Sequence, residues 1–372
     1  MPELAERRLR RTLIAANRAI RQDRAMFPEH TNVYGRTYEA ATGPARETVQ
    51  MHQLWFRTRG CTYDRAGQCS MCNYGIGPEI NVQRVARSVR LRLAKIPPHA
   101  HIYLSPSGSF LDEREVPPEL RAQLLAHLAE REPALFAFES RPETITAAKL
   151  QEIRAALPGT VLVGQVGVES WDPAIRSLCH LKPTPQHAYT EAARTLAELE
   201  FASIANVTLG GMGLSHREAF GDTLASVRGA RAAGFTTQMV FPLSAKTGTL
   251  LGWAHGHGLW EPPSLWMLLR LLAEGADDDA DGERPGDLSI SWFAPDLDEV
   301  VRSRPDGCEV CRPAVVDALN RFRVTPRSRT LREILDWRGC DCHARAIGTL
   351  SQDDGEGYLT RLTRIAELWE SR

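Results

Sequence analysis

The residues of this chain best suited to chemistry are three thiols in one short segment, Cys61, Cys69 and Cys72, spaced Cys-x7-Cys-x2-Cys just after an apolar run that reads as a strand. Three cysteines can supply thiolates to three irons of a [4Fe–4S] cluster. The fourth iron then stays open to an outside ligand, the arrangement needed to bind and reductively cleave S-adenosylmethionine. A structural zinc site is the competing use, but it normally closes on four protein ligands. No fourth cysteine lies nearby, although a histidine from elsewhere in the chain could serve.

A second set, Cys308-x2-Cys311 and Cys340-x-Cys342, offers four thiolates separated by a 28-residue insert. Four thiolates close a tetrahedral zinc site or hold an auxiliary iron–sulfur cluster, and the spacing does not choose between them. His343 could replace one cysteine. Cys179 stands alone and reads as a buried free thiol. Groups of three, four and one make poor disulfide arithmetic and suit a reducing compartment. His255 and His257 form an H-x-H pair in a glycine-rich stretch without nearby acids or cysteines, and read as part of an exposed loop. Trp253, Trp260 and Trp266 are expected to pack over a core.

The elements that must position these groups alternate. Apolar runs Val49–Arg57, His101–Ser105, Leu135–Glu139, Val161–Glu169, Ala202–Thr208, Thr237–Leu243 and Leu288–Trp292 read as strands. Residues 117–131, 144–156, 185–199, 217–233 and 263–275 read as helices between them. This is an α/β pattern, too short for an eightfold barrel, and an open, partial (β/α)6 TIM-like barrel fits it better. An amphipathic helix precedes it within residues 2–27, an acidic, glycine-rich loop falls at 276–287, and helices are expected at Ala314–Phe322 and Tyr358–Trp369. The expected organisation is an N-terminal helical extension (1–45), the barrel (46–293) and a cysteine-containing, metal-binding C-terminal region (294–372).

Composition narrows the function classes. With 43% hydrophobic and 24% charged residues the chain can bury a sizeable core, which removes disordered and fibrous classes. A formal net charge of −1 supplies no global field for nucleic acid or an anionic membrane. Of 45 basic residues only Lys95, Lys149, Lys182 and Lys246 are lysines, so an arginine cluster is weak evidence of phosphate recognition here. No signal-peptide apolar region or membrane-spanning run is present, and the expected location is cytoplasmic.

The cysteine loop, with Gly60 before it and Asn73-Tyr74 after it, resembles that of radical SAM enzymes. It is most similar to the archaeosine synthase radical SAM subunit and, more distantly, to the radical SAM domain of Elongator's catalytic subunit. Ser107-Gly108-Ser109-Phe110-Leu111-Asp112 with Glu115-Val116-Pro117, Glu139-Ser140-Arg141-Pro142-Glu143, Gly167-Val168-Glu169-Ser170, Phe241-Pro242-Leu243 and both C-terminal cysteine pairs follow in the same order. The resemblance implies a radical SAM barrel with the cluster on Cys61, Cys69 and Cys72. It places the methionyl amino group at Ser107, Gly108 and Ser109, and the amine or ribose at Glu139 and Glu169. Tyr74, Arg141, Ser170 and Asn206 are further candidates around the cofactor, Arg141 being also an ion-pair partner for either glutamate. The substrate implied is nucleoside-related. A small nucleoside in antibiotic biosynthesis is favoured, with sulfur insertion of the albomycin kind if the C-terminal cysteines hold a [4Fe–4S] cluster. A tRNA-modifying lyase and a non-catalytic, zinc-stabilised binding protein are the alternatives. A flavodoxin or ferredoxin would serve as electron donor.

Overall fold

Strands buried on both faces read as near-continuous apolar runs, and this explains why the barrel strands are visible in the sequence. The computed structural model describes residues 2–21, 33–42, 47–72, 81–106, 108–276, 286–291, 301–303, 307–352 and 355–372. One sheet contains β1 (Val33–Thr42), β2 (Glu47–Phe56), β3 (His101–Pro106), β4 (Leu135–Ser140), β5 (Val161–Glu169), β6 (Ala202–Leu209), β7 (Thr237–Pro242) and β9 (Leu288–Ile290), neighbours in that order. From β2 onward every pairing is parallel, while β1 runs antiparallel to β2. Two short strands, β8 (Ala245–Lys246) and β10 (Val301–Ser303), pair separately.

The helices cover the sheet. They are α1 (Pro2–Arg21), α2 (Thr62–Arg65), α3 (Val82–Leu93), α4 (Pro118–Ala129), α5 (Ala147–Ala156), α6 (Pro173–Leu178), α7 (Gln186–Glu198), α8 (His216–Ala232), α9 (Leu250–Gly256) and α10 (Leu265–Gly275). After β9 come α11 (Arg312–Val324), α12 (Ser328–Leu335), α13 (Cys342–Ser351) and α14 (Tyr358–Glu370). Six parallel strands each followed by a helical segment, then β9, make the partial (β/α)6 half-barrel expected. Its outer core is one cluster containing Phe110, Phe136, Phe138 and Leu196, and the inner face holds a smaller one around Met51, Tyr103, Ala137, Val163 and Ile204. The edges β1 and β9 do not pair with each other, and α11 touches both. The C-terminal region therefore sits across the gap in the barrel wall.

Several elements are not legible in the sequence. Strand β1 falls inside what reads as a helical extension, because its mixed polar residues carry no clean alternation. Helix α3 hides its buried face of Val85, Ala86, Val89 and Leu93 among arginines. Among the described residues the C-terminal region has four helices rather than the two expected. His255 is no loop residue: it lies in α9, its Nδ1 3.1 Å from the Trp260 carbonyl, while His257 just beyond places Nδ1 2.8 Å from Trp253 O. Trp253, Trp260 and Trp266 are buried as expected. Most of the 276–287 loop and Trp292 lie outside the described residues. No helix among the described residues is long and apolar enough to cross a membrane.

Candidate active site

The cysteine loop leaves the C-terminal end of β2, the end where ligand sites of parallel barrels collect. Cys61 precedes the single turn α2, Cys69 is buried, and Cys61 and Cys72 are half-buried. Cys72 is hydrogen-bonded to Cys69, which with burial pushes its thiol well up. Burial, reinforced by the Glu115 charge, pushes the Cys61 thiol up to about 12, against the pull of Arg141. By ligand number, three thiols in one loop would suit an open cluster, which takes three protein ligands, better than a closed zinc site, which takes four.

Beneath Cys61 lies a buried ionic network. Arg141 Nη1 donates to Glu115 Oε1 at 2.5 Å and lies 3.7 Å from Cys61 Sγ, Nε donates to Glu143 at 2.9 Å, and Nη2 pairs with Asp112. Its guanidinium sits over the Tyr63 ring, 4.6 Å from the centroid. Glu115 also accepts from the backbone N–H groups of Thr62 (2.9 Å) and Ser109 (2.6 Å), tying the cysteine loop to the turn after β3. A Cβ on Gly108 would collide with the Glu115 carboxylate and approach Cys61 Cα to 3.2 Å, so only glycine lets that turn pass. Ser109 Oγ lies 3.0 Å from Thr144 Oγ1 and accepts from Arg141 N–H at 3.1 Å. The structure thus brings Gly108, Ser109 and Arg141 to the cysteine loop; Ser107 and Tyr74 lie outside the described residues. The Glu115 side chain is 0% exposed and that of Arg141 9%. Breaking such a pair from one side typically costs about 3–5 kcal/mol. Glu115→Gln is therefore expected to lower the melting temperature by several degrees, measured by circular dichroism; an unchanged melting temperature would show that the network carries no stability.

Across the barrel mouth, Glu139 is the penultimate residue of β4 and Glu169 ends β5. Glu169 Oε1 pairs with Lys182 Nζ at 2.5 Å, so the partner of this glutamate is Lys182, and the expected pairing of either glutamate with Arg141 is replaced by Arg141's bonds to Glu115, Asp112 and Glu143. Glu139 accepts from Tyr103 OH at 3.2 Å and from Asn206, and burial raises its carboxyl while Lys182 opposes the rise. Glu169 Oε2 and Asn206 Oδ1 are buried acceptors without a hydrogen-bond partner among the described residues, which suits a site for a cationic or hydroxyl-bearing ligand. Lys182, Tyr103 and Glu115 join the site without a motif that marks them as site residues in the sequence; the one signal for Lys182 is its rarity among 41 arginines.

Ser170 is turned away from this group, its hydroxyl donating to Asp222 Oδ1 on α8 at 2.7 Å. Burial pushes Asp222 up to about 7 from 3.8, against the Ser170 hydrogen bond. A raised folded-state pKa gives stability that is complete below about pH 4 and lost as pH rises through about 7. Melts between pH 5 and 8 should show wild-type stability falling and Asp222→Asn flattening the fall; equal slopes would contradict this assignment.

The second cysteine set assembles as expected. Cys308, Cys311, Cys340 and Cys342 place their sulfurs within 4.8 Å of one another, with Cys308 and Cys311 3.7 Å apart. Cys311 ends the turn leading into α11, and Cys342 opens α13. Trp266 on α10 donates to Cys311 Sγ at 3.3 Å and stacks on His343 and Trp337. A bond from the Cys311 backbone and one from Cys342 hold the Cys308 thiol down to about 6. The lone Cys179 is buried, as expected.

The half-barrel carries its three-cysteine loop at the end of the first parallel strand. The chain is 25% identical to archaeosine synthase subunit beta of Methanosarcina acetivorans over 294 residues, 77% of this chain and 81% of that protein. It is 28% identical over 228 residues to an uncharacterized protein of Methanocaldococcus jannaschii, a match covering 59% of this chain and 62%, under two thirds, of that relative. No protein-family model matches the chain. Among solved structures, methylornithine synthase superposes with a TM-score of 0.46 at 16% identity over 88% of this chain and 91% of that one. The radical S-adenosylmethionine methyltransferase of Kitasatospora setae, with cobalamin and a [4Fe-4S] cluster bound, gives 0.41 at 14% identity over 55% and 37%.

Proposed function

We propose that this protein is a radical SAM enzyme acting on a nucleoside-type substrate. The observation that carries the reading is the three-thiol loop at the end of the first parallel strand, pinned by Glu115 and Arg141. A [4Fe–4S] cluster on Cys61, Cys69 and Cys72 would supply the electron that cleaves S-adenosylmethionine and so yields a hydrogen-abstracting 5′-deoxyadenosyl radical. The chain's own residues bind and orient. The Gly108–Ser109 turn lets backbone approach the methionyl end, while Glu169, Glu139 and Asn206 offer acceptors for the amine and ribose hydroxyls. Their burial excludes water from a reactive centre.

The substrate reading draws support from the inner wall. Arg36 lies over the rings of Tyr38 and Trp55, 5.3 and 5.1 Å from their centroids, and donates to Gln53 at 2.6 Å. An aromatic and guanidinium wall suits stacking on a base. A tRNA substrate is the second reading, favoured by the likeness to archaeosine synthase subunit beta. Substrate-dependent stimulation of 5′-deoxyadenosine formation, measured with free nucleosides and nucleotides and with bulk tRNA, separates them. Stimulation by tRNA alone, with salt-sensitive filter binding, would overturn the small-molecule reading. Sulfur insertion requires in addition iron and sulfide at the C-terminal cysteines.

A further inference from the structure

We infer that Asn17, on the N-terminal helix, is the residue that positions the metal-binding cysteine loop. The inference rests on the radical SAM reading only for the identity of the group held there. Asn17 is 0% exposed although it is polar and lies on an amphipathic helix whose other face carries arginines. Its side chain is fully used. Nδ2 donates to the carbonyls of Gly67 (2.9 Å) and Cys69 (2.8 Å), and Oδ1 accepts from the backbone N–H of Leu250 (3.1 Å) at the start of α9. One amide thus joins three segments that are distant in sequence: α1, the loop between the first and second cysteines, and α9. No apolar residue of that size could satisfy these backbone groups, and each would be left buried and unpaired.

Two neighbours show that α1 is shaped to the loop. Gly67 has φ +73°, and a Cβ there would lie 2.6 Å from Arg18 Cγ and 3.0 Å from the Ile14 carbonyl. Arg18 Nε donates to Ala66 O at 2.8 Å. Ile14, Asn17 and Arg18 therefore form a saddle on residues 66–69. The next residue is gripped from the opposite side: Ser70 N–H donates to His180 O at 3.1 Å, Ser70 Oγ to Cys179 O at 2.7 Å, and Leu251 N–H to Ser70 O at 2.9 Å. These contacts reach the Cys69–Ser70 segment from outside the loop, and Gln68 N–H, donating to Tyr63 O at 2.9 Å, anchors the residue before it from within. Asn17 supplies a side-chain donor to the Cys69 peptide itself. A thiolate held this way reaches a metal group without first ordering its backbone, whereas a free loop must pay that entropy on binding.

The test compares full-length Asn17→Ala with Leu13→Ala. Leu13 is equally buried on α1 but faces the apolar core, so its loss weakens helix packing without touching the loop. Two readouts are taken on each protein. In the apo protein, alkylation of Cys69 by iodoacetamide, followed by peptide mass spectrometry, is expected to quicken at least fivefold in Asn17→Ala and less than twofold in Leu13→Ala. After anaerobic reconstitution, Asn17→Ala is expected to keep less than half the wild-type iron and to show a changed electron paramagnetic resonance signal in the reduced state, with Leu13→Ala unchanged in both. Equal alkylation rates and equal iron in wild type and Asn17→Ala would overturn the inference, as would equal effects of the two substitutions. A wild-type protein that takes up no iron would instead sink the radical SAM reading, and the alkylation comparison would still decide the role of Asn17.

Discussion

Cys69→Ala is expected to abolish 5′-deoxyadenosine formation and to remove the iron bound by the N-terminal cysteine loop. Cys69 is the most buried of the three thiols and the one whose backbone is held by Asn17 and whose side chain is bonded to Cys72. With two thiolates left, an open cluster loses a third of its protein ligands. The loss in rate should reach roughly 1,000-fold or more, because the cofactor carries the difficult chemistry and no side chain at the barrel mouth substitutes for it. Anaerobic turnover with dithionite, followed by chromatography of the nucleoside products, measures this directly. Because Cys69 is a small buried residue, its replacement by alanine should leave the melting temperature within a few degrees of wild type. Persistence of 5′-deoxyadenosine in the variant would show that Cys69 is not a ligand.

Cys311→Ala is expected to destabilise the C-terminal region and to abolish metal binding by the C-terminal cysteines, since a structural metal contributes its binding energy to folding. The consequence should reach the barrel. Cys311 leads into α11, which lies against both unpaired sheet edges, and Cys342 opens α13, which packs on α8 and α10. Removing the tetrathiolate therefore frees the helix that spans the gap between β1 and β9. Limited proteolysis should cleave the Cys311→Ala protein within residues 300–345 well before wild type; identical digestion patterns would show that the site does not fasten this region. The 3.7 Å separation of Cys308 and Cys311 is that of thiolates around one tetrahedral ion. One zinc per chain should therefore survive in a Cys61/Cys69/Cys72 triple alanine variant. Four irons with sulfide in that variant would instead support sulfur insertion.

The sequence displayed the barrel because parallel strands buried on both faces cannot hide. Val161–Glu169 and the starts of β3, β4, β6, β7 and β9 are readable from composition alone. Strand β1 is not, because an edge strand that places Arg36 and Tyr38 on the inner wall has no apolar alternation. The cysteines announced both candidate metal sites through spacing that few other roles require. The polar residues that hold them are silent for a different reason. Glu115, Lys182 and Asn17 act through partners 53, 13 and 50 or more positions away, and nothing local marks a glutamate or asparagine as buried. Ser170 shows the converse, a residue within a recognisable motif whose hydroxyl is taken by α8.

The most direct test of the central claim is anaerobic reconstitution of the full-length protein with iron and sulfide, followed by incubation with S-adenosylmethionine and dithionite, with the Cys61/Cys69/Cys72 triple alanine variant alongside. The account predicts about four irons and four sulfides bound in a manner that the triple substitution removes, together with 5′-deoxyadenosine from the wild type alone. A wild-type protein that binds zinc at the N-terminal loop and never cleaves S-adenosylmethionine would contradict it.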